Sequence, residues 1–195
     1  MPEWLFIVVQ IFFWMALSTW FGAVLFVVLA PPIILRTVRQ NNPLLPTVLS
    51  VNLEGQHGTL LAGSIIGELM GPLIRIELVC AGVLLLALIG QWLILQPQAD
   101  VAHIMVPVLR TMMFVAATVF LIYDWRVVWP RMWRYRQEYL DHADEPDVAN
   151  PALDLFDKYQ TESLTILRNI LFLLIGMILF SAFITYSPPI ILPAR

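Results

Sequence analysis

Residues 4–35 read WLFIVVQIFFWMALSTWFGAVLFVVLAPPIIL, thirty-two positions without one charge. About 20 apolar residues cross a hydrocarbon core as a helix. This stretch exceeds that length, and comparable runs recur three more times along the chain. The expected fold class is therefore all-α: an integral membrane four-helix bundle in a single domain over residues 1–195. Its chemistry must lie among the few polar residues set between apolar ones.

The composition agrees. Of 195 residues, 59% are hydrophobic and 13% charged, and the mean hydropathy is +0.80. Soluble domains carry about 25% charged residues. The net charge of −3 gives no reason to expect nucleic acid as a partner. Cys80 is the only cysteine, so neither an intramolecular disulfide nor a thiolate metal motif can form. The N-terminus, Met-Pro-Glu-Trp, lacks a positive n-region, and the apolar run is too long for a signal-peptide core. An uncleaved first span is expected.

The spans are expected at residues 5–29, 73–95, 102–123 and 166–186. Pro31-Pro32 marks a helix end or kink, because proline lacks a backbone donor and restricts its predecessor. Residues 36–58 read as a polar loop, 59–71 as a helix at the interface, and 96–100 as a tight turn. A bend is expected at Pro130. Residues 141–149 are acidic and turn-like, and Asn150-Pro151 looks like a helix start, with Asn as cap and Pro at the first helical position. Helices three and four should extend past the membrane as a cytoplasmic hairpin over residues 124–165. One stripe of it would carry Trp129, Trp133, Arg136 and Leu140, and the facing stripe Leu153, Phe156, Tyr159 and Leu164.

Lys and Arg near span ends set orientation. Arg36 and Arg39 come after span one, and Arg126, Arg131, Arg134, Arg136, Lys158 and Arg168 after span three. The opposite side has only Arg195. This asymmetry predicts a multi-pass cell-membrane protein with both termini outside and the two longer loops cytoplasmic. The lipid bilayer is its first partner. Four spans are few for a transporter, so a homo-oligomer or a place as subunit of a membrane complex is expected.

Ionisable residues inside a membrane are costly and invite functional readings. Glu68, Arg75, Glu77 and Arg110 qualify. Arg75 and Glu77 are two residues apart and cannot pair with each other. At their depth an inner polar layer is expected, joining Arg75 and Glu77 to Asp124, Arg168 and Asn169. It reads either as a functional site or as an interfacial ion-pair network in which Glu77 compensates Arg75 or Arg168. Arg110 lies deeper from the other side, near the level of Gln10 and Ser181, with no evident carboxylate. It would either bind an anion, a lipid headgroup or backbone carbonyls, or snorkel to the outer headgroups.

His57, within Glu54-Gly55-Gln56-His57-Gly58, is the weak metal candidate. With Glu54 it supplies at most two ligands, and zinc wants three or four. His103 and His142 sit at opposite ends of the third helix. Met112-Met113 suits packing better than copper. No phosphate loop, nucleophile elbow, paired-carboxylate pattern or dinucleotide fingerprint occurs. No catalytic residue and no cofactor is therefore assigned.

Two stretches carry a resemblance. Thr19-Trp20-Phe21-Gly22-Ala23-Val24-Leu25-Phe26 followed by Ala30-Pro31-Pro32 resembles the first span of a four-helix membrane family of unknown function that includes animal transmembrane protein 205. Phe156-Asp157-Lys158-Tyr159-Gln160-Thr161-Glu162-Ser163, leading into Leu167-Arg168-Asn169, resembles the run before that family's last span. Ala62-Gly63 also fits. Gln160 stands where that family has a His. The Thr-Trp-Phe-Gly pattern also looks like bacterial four-helix protoporphyrinogen oxidase and copper-resistance membrane proteins. Those hold haem or metal through a His early in span one, and residues 10–14 here contain none. Three functional readings are thus open: small-molecule or metal tolerance or transport, an accessory subunit of a membrane complex, and a haem-linked oxidoreductase.

Overall fold

The computed structural model describes residues 3–41, 57–94, 101–142 and 145–186, and all but His142 and Glu145 of these are helical, with no strand among them. In order they form α1 (Glu3–Asn41), α2 (His57–Ile94), α3 (Val101–Tyr123), a π turn (Asp124–Val128), α4 (Trp129–Asp141) and α5 (Pro146–Tyr186). Among the described residues, four stretches are long and apolar enough to cross a membrane: Trp4–Ala30, Glu68–Leu93, Met105–Asp141 and Pro146–Ala182. Their outward faces carry exposed Leu86, Leu93, Met105 and Phe172. Helices that are apolar on every side suit a lipid solvent, not water.

The helices alternate in direction. Val9 near the start of α1 lies against Gly90 near the end of α2, and Met113 of α3 lies against Gly176 of α5. α1 packs most extensively on α2, and α3 and α4 on α5. α1 and α5 join the two hairpins, whereas α2 and α3 make few close backbone approaches. The core recurs at helical spacing: Phe13, Leu17, Trp20 and Val24 on α1 face Leu84 and Leu88 on α2, with Leu121, Ile170 and Leu174.

Several boundaries differ from the sequence expectation. α1 does not stop at Pro31-Pro32 but continues to Asn41. The two prolines remove the donors that would reach the carbonyls of Val27 and Val28. Buried Ala30 and half-buried Ile34 keep the segment packed on its neighbours, and packing overrides local propensity. α2 is likewise one continuous helix from His57 through Pro72. α1 therefore runs on beyond Ala30 and α2 begins well before Glu68, so these two helices extend past their apolar stretches at the end of the bundle where α4 and α5 meet. The expected turn at residues 96–100 lies outside the described residues.

α5 begins at Pro146, one turn before Asn150-Pro151. Pro146 needs no donor at the first helical position, and the amides of Val148 and Ala149 bond back to the Glu145 carbonyl at 3.0 and 2.9 Å. The bend expected at Pro130 takes the form of the π turn, closed by the Trp129 amide donating to the Asp124 carbonyl. A proline at 130 removes the bond to the Arg126 carbonyl and crowds it, and one extra residue in the preceding turn relieves this. The extra residue also rotates α4 about its axis. Met132 and Tyr139 are buried, while Leu140, assigned to the buried stripe, is 58% exposed. Tyr135 stacks on Tyr159 at 5.6 Å, and Tyr139 closes a small cluster with Ala149, Ala152 and Leu153.

The α3–α5 contact is close at one point. A Cβ on Gly176 would stand 2.7 Å from Sδ and 2.9 Å from Cε of Met113. The Met113 tip is flexible, so Gly176→Ala is expected to leave the melting midpoint in detergent nearly unchanged. Gly176→Leu is expected to destabilise by about 1–3 kcal/mol through overpacking, read by thermal denaturation.

Candidate functional site

Two polar layers interrupt the apolar core, both along the seam between α2 and α3. The first is acidic. Glu77 on α2 is 1% exposed, and Asp124, the first residue of the π turn, is 2% exposed. They are close enough for their charges to repel. Ser163 of α5, itself buried, lies beside the Asp124 carboxylate. Glu77 Oε1 and Asp124 Oδ1 are each buried with no hydrogen-bond partner among the described residues. Cys80 lies one turn along α2, buried on the same face. The register set by Val9 and Gly90 places Trp20 of α1 level with Cys80, and its buried indole N–H is also without a partner among the described residues.

The cations expected in this layer are elsewhere. Arg75, Arg168 and Asn169 are all exposed, and among the described residues no ion pair joins either arginine to Glu77. The cause is angular. Two residues along a helix turn a side chain by about 200°, so burying Glu77 sends Arg75 outward. Leu167 and Ile170 take the buried face of α5 and leave Arg168 and Asn169 on the other side. An ion pair does form between Arg136 and Glu68, at 3.8 Å, and ties α4 to the first part of the α2 span. The Arg136 guanidinium also lies 4.6 Å from the Trp133 ring. The sequence shows no paired-carboxylate motif, yet the fold builds one from two helices. Ser163 is not evident as a site residue in the sequence, although its spacing from Phe156 and Ile170 marks the buried stripe.

The second layer is basic and amidic. Arg110 of α3 is 3% exposed. Its Nη2 donates to Gln91 Oε1, and Gln91 Nε2 donates to Gln10 Oε1 at 3.0 Å. The guanidinium lies over the Phe13 ring, 4.9 Å from its centroid. Gln10 and Arg110 thus meet at one level, linked by Gln91, which the sequence reading does not single out. The signal is there: Gln91 continues the phase of Leu84 and Leu88 and is 5% exposed. Ser181 is buried on α5 near this level, by the register that Met113 and Gly176 set. Trp92 Nε1 donates to Thr111 Oγ1 at 3.1 Å beside the layer and bridges α2 to α3. The two layers are separated by fourteen residues of α2, about 21 Å.

The remaining candidates do not converge. His57 opens α2 and His103 lies in the first turn of α3, with side chains outside those described. His142 caps α4, exposed, with Nδ1 3.1 Å from the Glu138 carbonyl oxygen. Among the described residues no three His, Cys, Asp or Glu side chains gather in a metal-binding group. Met112 is exposed and Met113 packs on Gly176. No family model, curated protein or solved structure matches this chain.

Two buried carboxylates without a cation repel each other and lack solvation, and the cost falls when a proton or a small cation enters. This fixes the sign of substitution effects. In detergent at alkaline pH, where both side chains are ionised, Glu77→Gln and Asp124→Asn are each expected to raise the melting midpoint, by the equivalent of about 1–3 kcal/mol of stability. The double variant should gain less than the sum, because either change alone relieves the shared repulsion. A double-mutant cycle of thermal melts checks this.

Proposed function

We propose that this chain is a multi-pass cell-membrane protein that passes protons or small cations through its helix bundle in support of solute or metal tolerance. The observation that carries the reading is the pair Glu77 and Asp124, buried in the α2–α3 seam with unpartnered oxygens and no cation among the described residues. Intramembrane carboxylates in such settings mark ion and proton pathways. The π turn that presents Asp124 is a distortion frequent at functional sites. Sparse packing between α2 and α3 leaves that seam the least tightly closed side of the bundle.

The Arg-rich hairpin end faces the cytoplasm in this reading, with both termini outside, on the strength of the Lys and Arg asymmetry. The working unit is a homo-oligomer. Ser18 and Gly22, four residues apart and both exposed on α1, offer the small-residue spacing by which membrane helices approach one another. A second reading, an accessory subunit of a larger membrane complex, draws on an open groove on α4 lined by Trp133, Arg134, Gln137 and Glu138.

The test is reconstitution in liposomes loaded with a pH-sensitive dye, with proton, sodium, potassium and divalent-metal gradients imposed in turn. Flux above protein-free vesicles is expected for at least one ion, falling about tenfold or more in Glu77→Gln and in Asp124→Asn. Flux equal to that of empty vesicles under every gradient favours the subunit reading.

A further inference from the structure

Arg110 brings a positive charge into the bundle with no carboxylate beside it among the described residues. A snorkelling arginine keeps its head in water or among headgroups, whereas this one is 3% exposed. An arginine offers five N–H donors. One goes to Gln91, and Nε is buried without a partner among the described residues. The Phe13 face offsets only part of the charge. Gln91 is already used at both ends, its carbonyl accepting from Arg110 and its amide donating to Gln10. The relay therefore runs from a buried guanidinium through buried Gln91 to Gln10, the one member of the three that is half-buried. Once these bonds are made, the relay still offers unused N–H donors beside the guanidinium charge, and its only remaining acceptors are the second lone pairs of the two amide oxygens.

The relay is also shallow. Gln10 lies six residues inside the Trp4 end of its apolar stretch, and Gln91 two residues inside the Leu93 end of its own, or about 3–9 Å below the apolar boundary. We infer that Arg110, Gln91 and Gln10 form a binding site for a phosphate-type oxyanion, drawn from a phospholipid headgroup or from solution. Guanidinium matches phosphate oxygens with paired N–H donors, and a charge-assisted pair in this setting is strong. The anion supplies a counter-charge that no carboxylate among the described residues provides. This site is independent of the Glu77–Asp124 reading and stands or falls separately.

The test uses the full chain, delipidated in non-ionic detergent. Melting midpoints are followed against inorganic phosphate at constant ionic strength, and native mass spectrometry follows retention of phosphatidylglycerol against phosphatidylcholine. At least one of phosphate and phosphatidylglycerol is expected to bind and raise the midpoint, with affinity about tenfold or more weaker in Arg110→Gln. Without either ligand, Arg110→Gln should melt higher than the parent, because an uncompensated buried charge is gone. Stabilisation by the lipid alone assigns the headgroup as source, and stabilisation by phosphate as well assigns a site open to solution. No stabilisation by either, or equal stabilisation of parent and Arg110→Gln, overturns the site. Should Arg110→Gln not fold, Gln10→Leu keeps the guanidinium and removes the half-buried amide donor. Weakened anion binding supports the site, and unchanged binding overturns it.

Discussion

The hydrogen-bonded chain from Arg110 through Gln91 to Gln10 is the contact on which the arrangement of three helices depends. Helix faces as apolar as these gain little by leaving lipid for one another, so association rests on close packing and on polar contacts. An apolar helix can slide or rotate against an apolar neighbour at small cost. A glutamine that must accept from one helix while donating to another cannot. Gln91 ties α2 to α3 and to α1 at once, and the Trp92–Thr111 bond repeats the tie one residue on. Once that register is set, fourteen residues of α2 carry it to the other layer and bring Glu77 to the level of Asp124.

At the hairpin end the decisive residue is Pro130. Its missing donor is accommodated by the π turn from Asp124 to Val128, and that turn both presents the Asp124 carboxylate to the seam and rotates α4 behind it. The rotation brings Tyr139 inward against Ala149 and Ala152 and turns Leu140 out. It also leaves Tyr135 to stack on Tyr159 while Arg131 reaches the same tyrosine, 5.8 Å from the ring centroid. One backbone defect thus shapes both the candidate site and the α4–α5 hairpin.

Much of this is legible in the chain, and the limits have physical causes. The uncharged run over residues 4–35 and its three counterparts require helices, since no other open structure satisfies its backbone in lipid. Counting rises along spans places Gln10 with Arg110, and Glu77 with Asp124. Depth is a linear quantity and sequence carries it well. Azimuth is harder, because nearly every face of these helices is apolar and periodicity gives no stripe to read. That is why Arg75 and Arg168 are expected beside Glu77 and instead point away, and why Gln91 does not stand out. The π turn adds a further loss, since one extra residue shifts every later phase by about 100°. Pro31-Pro32 misleads in the opposite direction, because local restriction yields to packing at Ala30 and Ile34.

The placement of Glu77 has an electrical consequence. It sits nine positions inside the Glu68 end of its apolar stretch, roughly a third of the way through. A membrane potential drops across that stretch, at about 2.3 kcal/mol per elementary charge per 100 mV. A proton or monovalent cation reaching Glu77 from the hairpin end therefore crosses about a third of the field, worth about 0.8 kcal/mol per 100 mV. That changes site occupancy about fourfold with no movement of the protein. On the proton- or cation-passing reading, a carboxylate held at this depth is a voltage-sensitive ligand, its occupancy set by the potential across the membrane it spans.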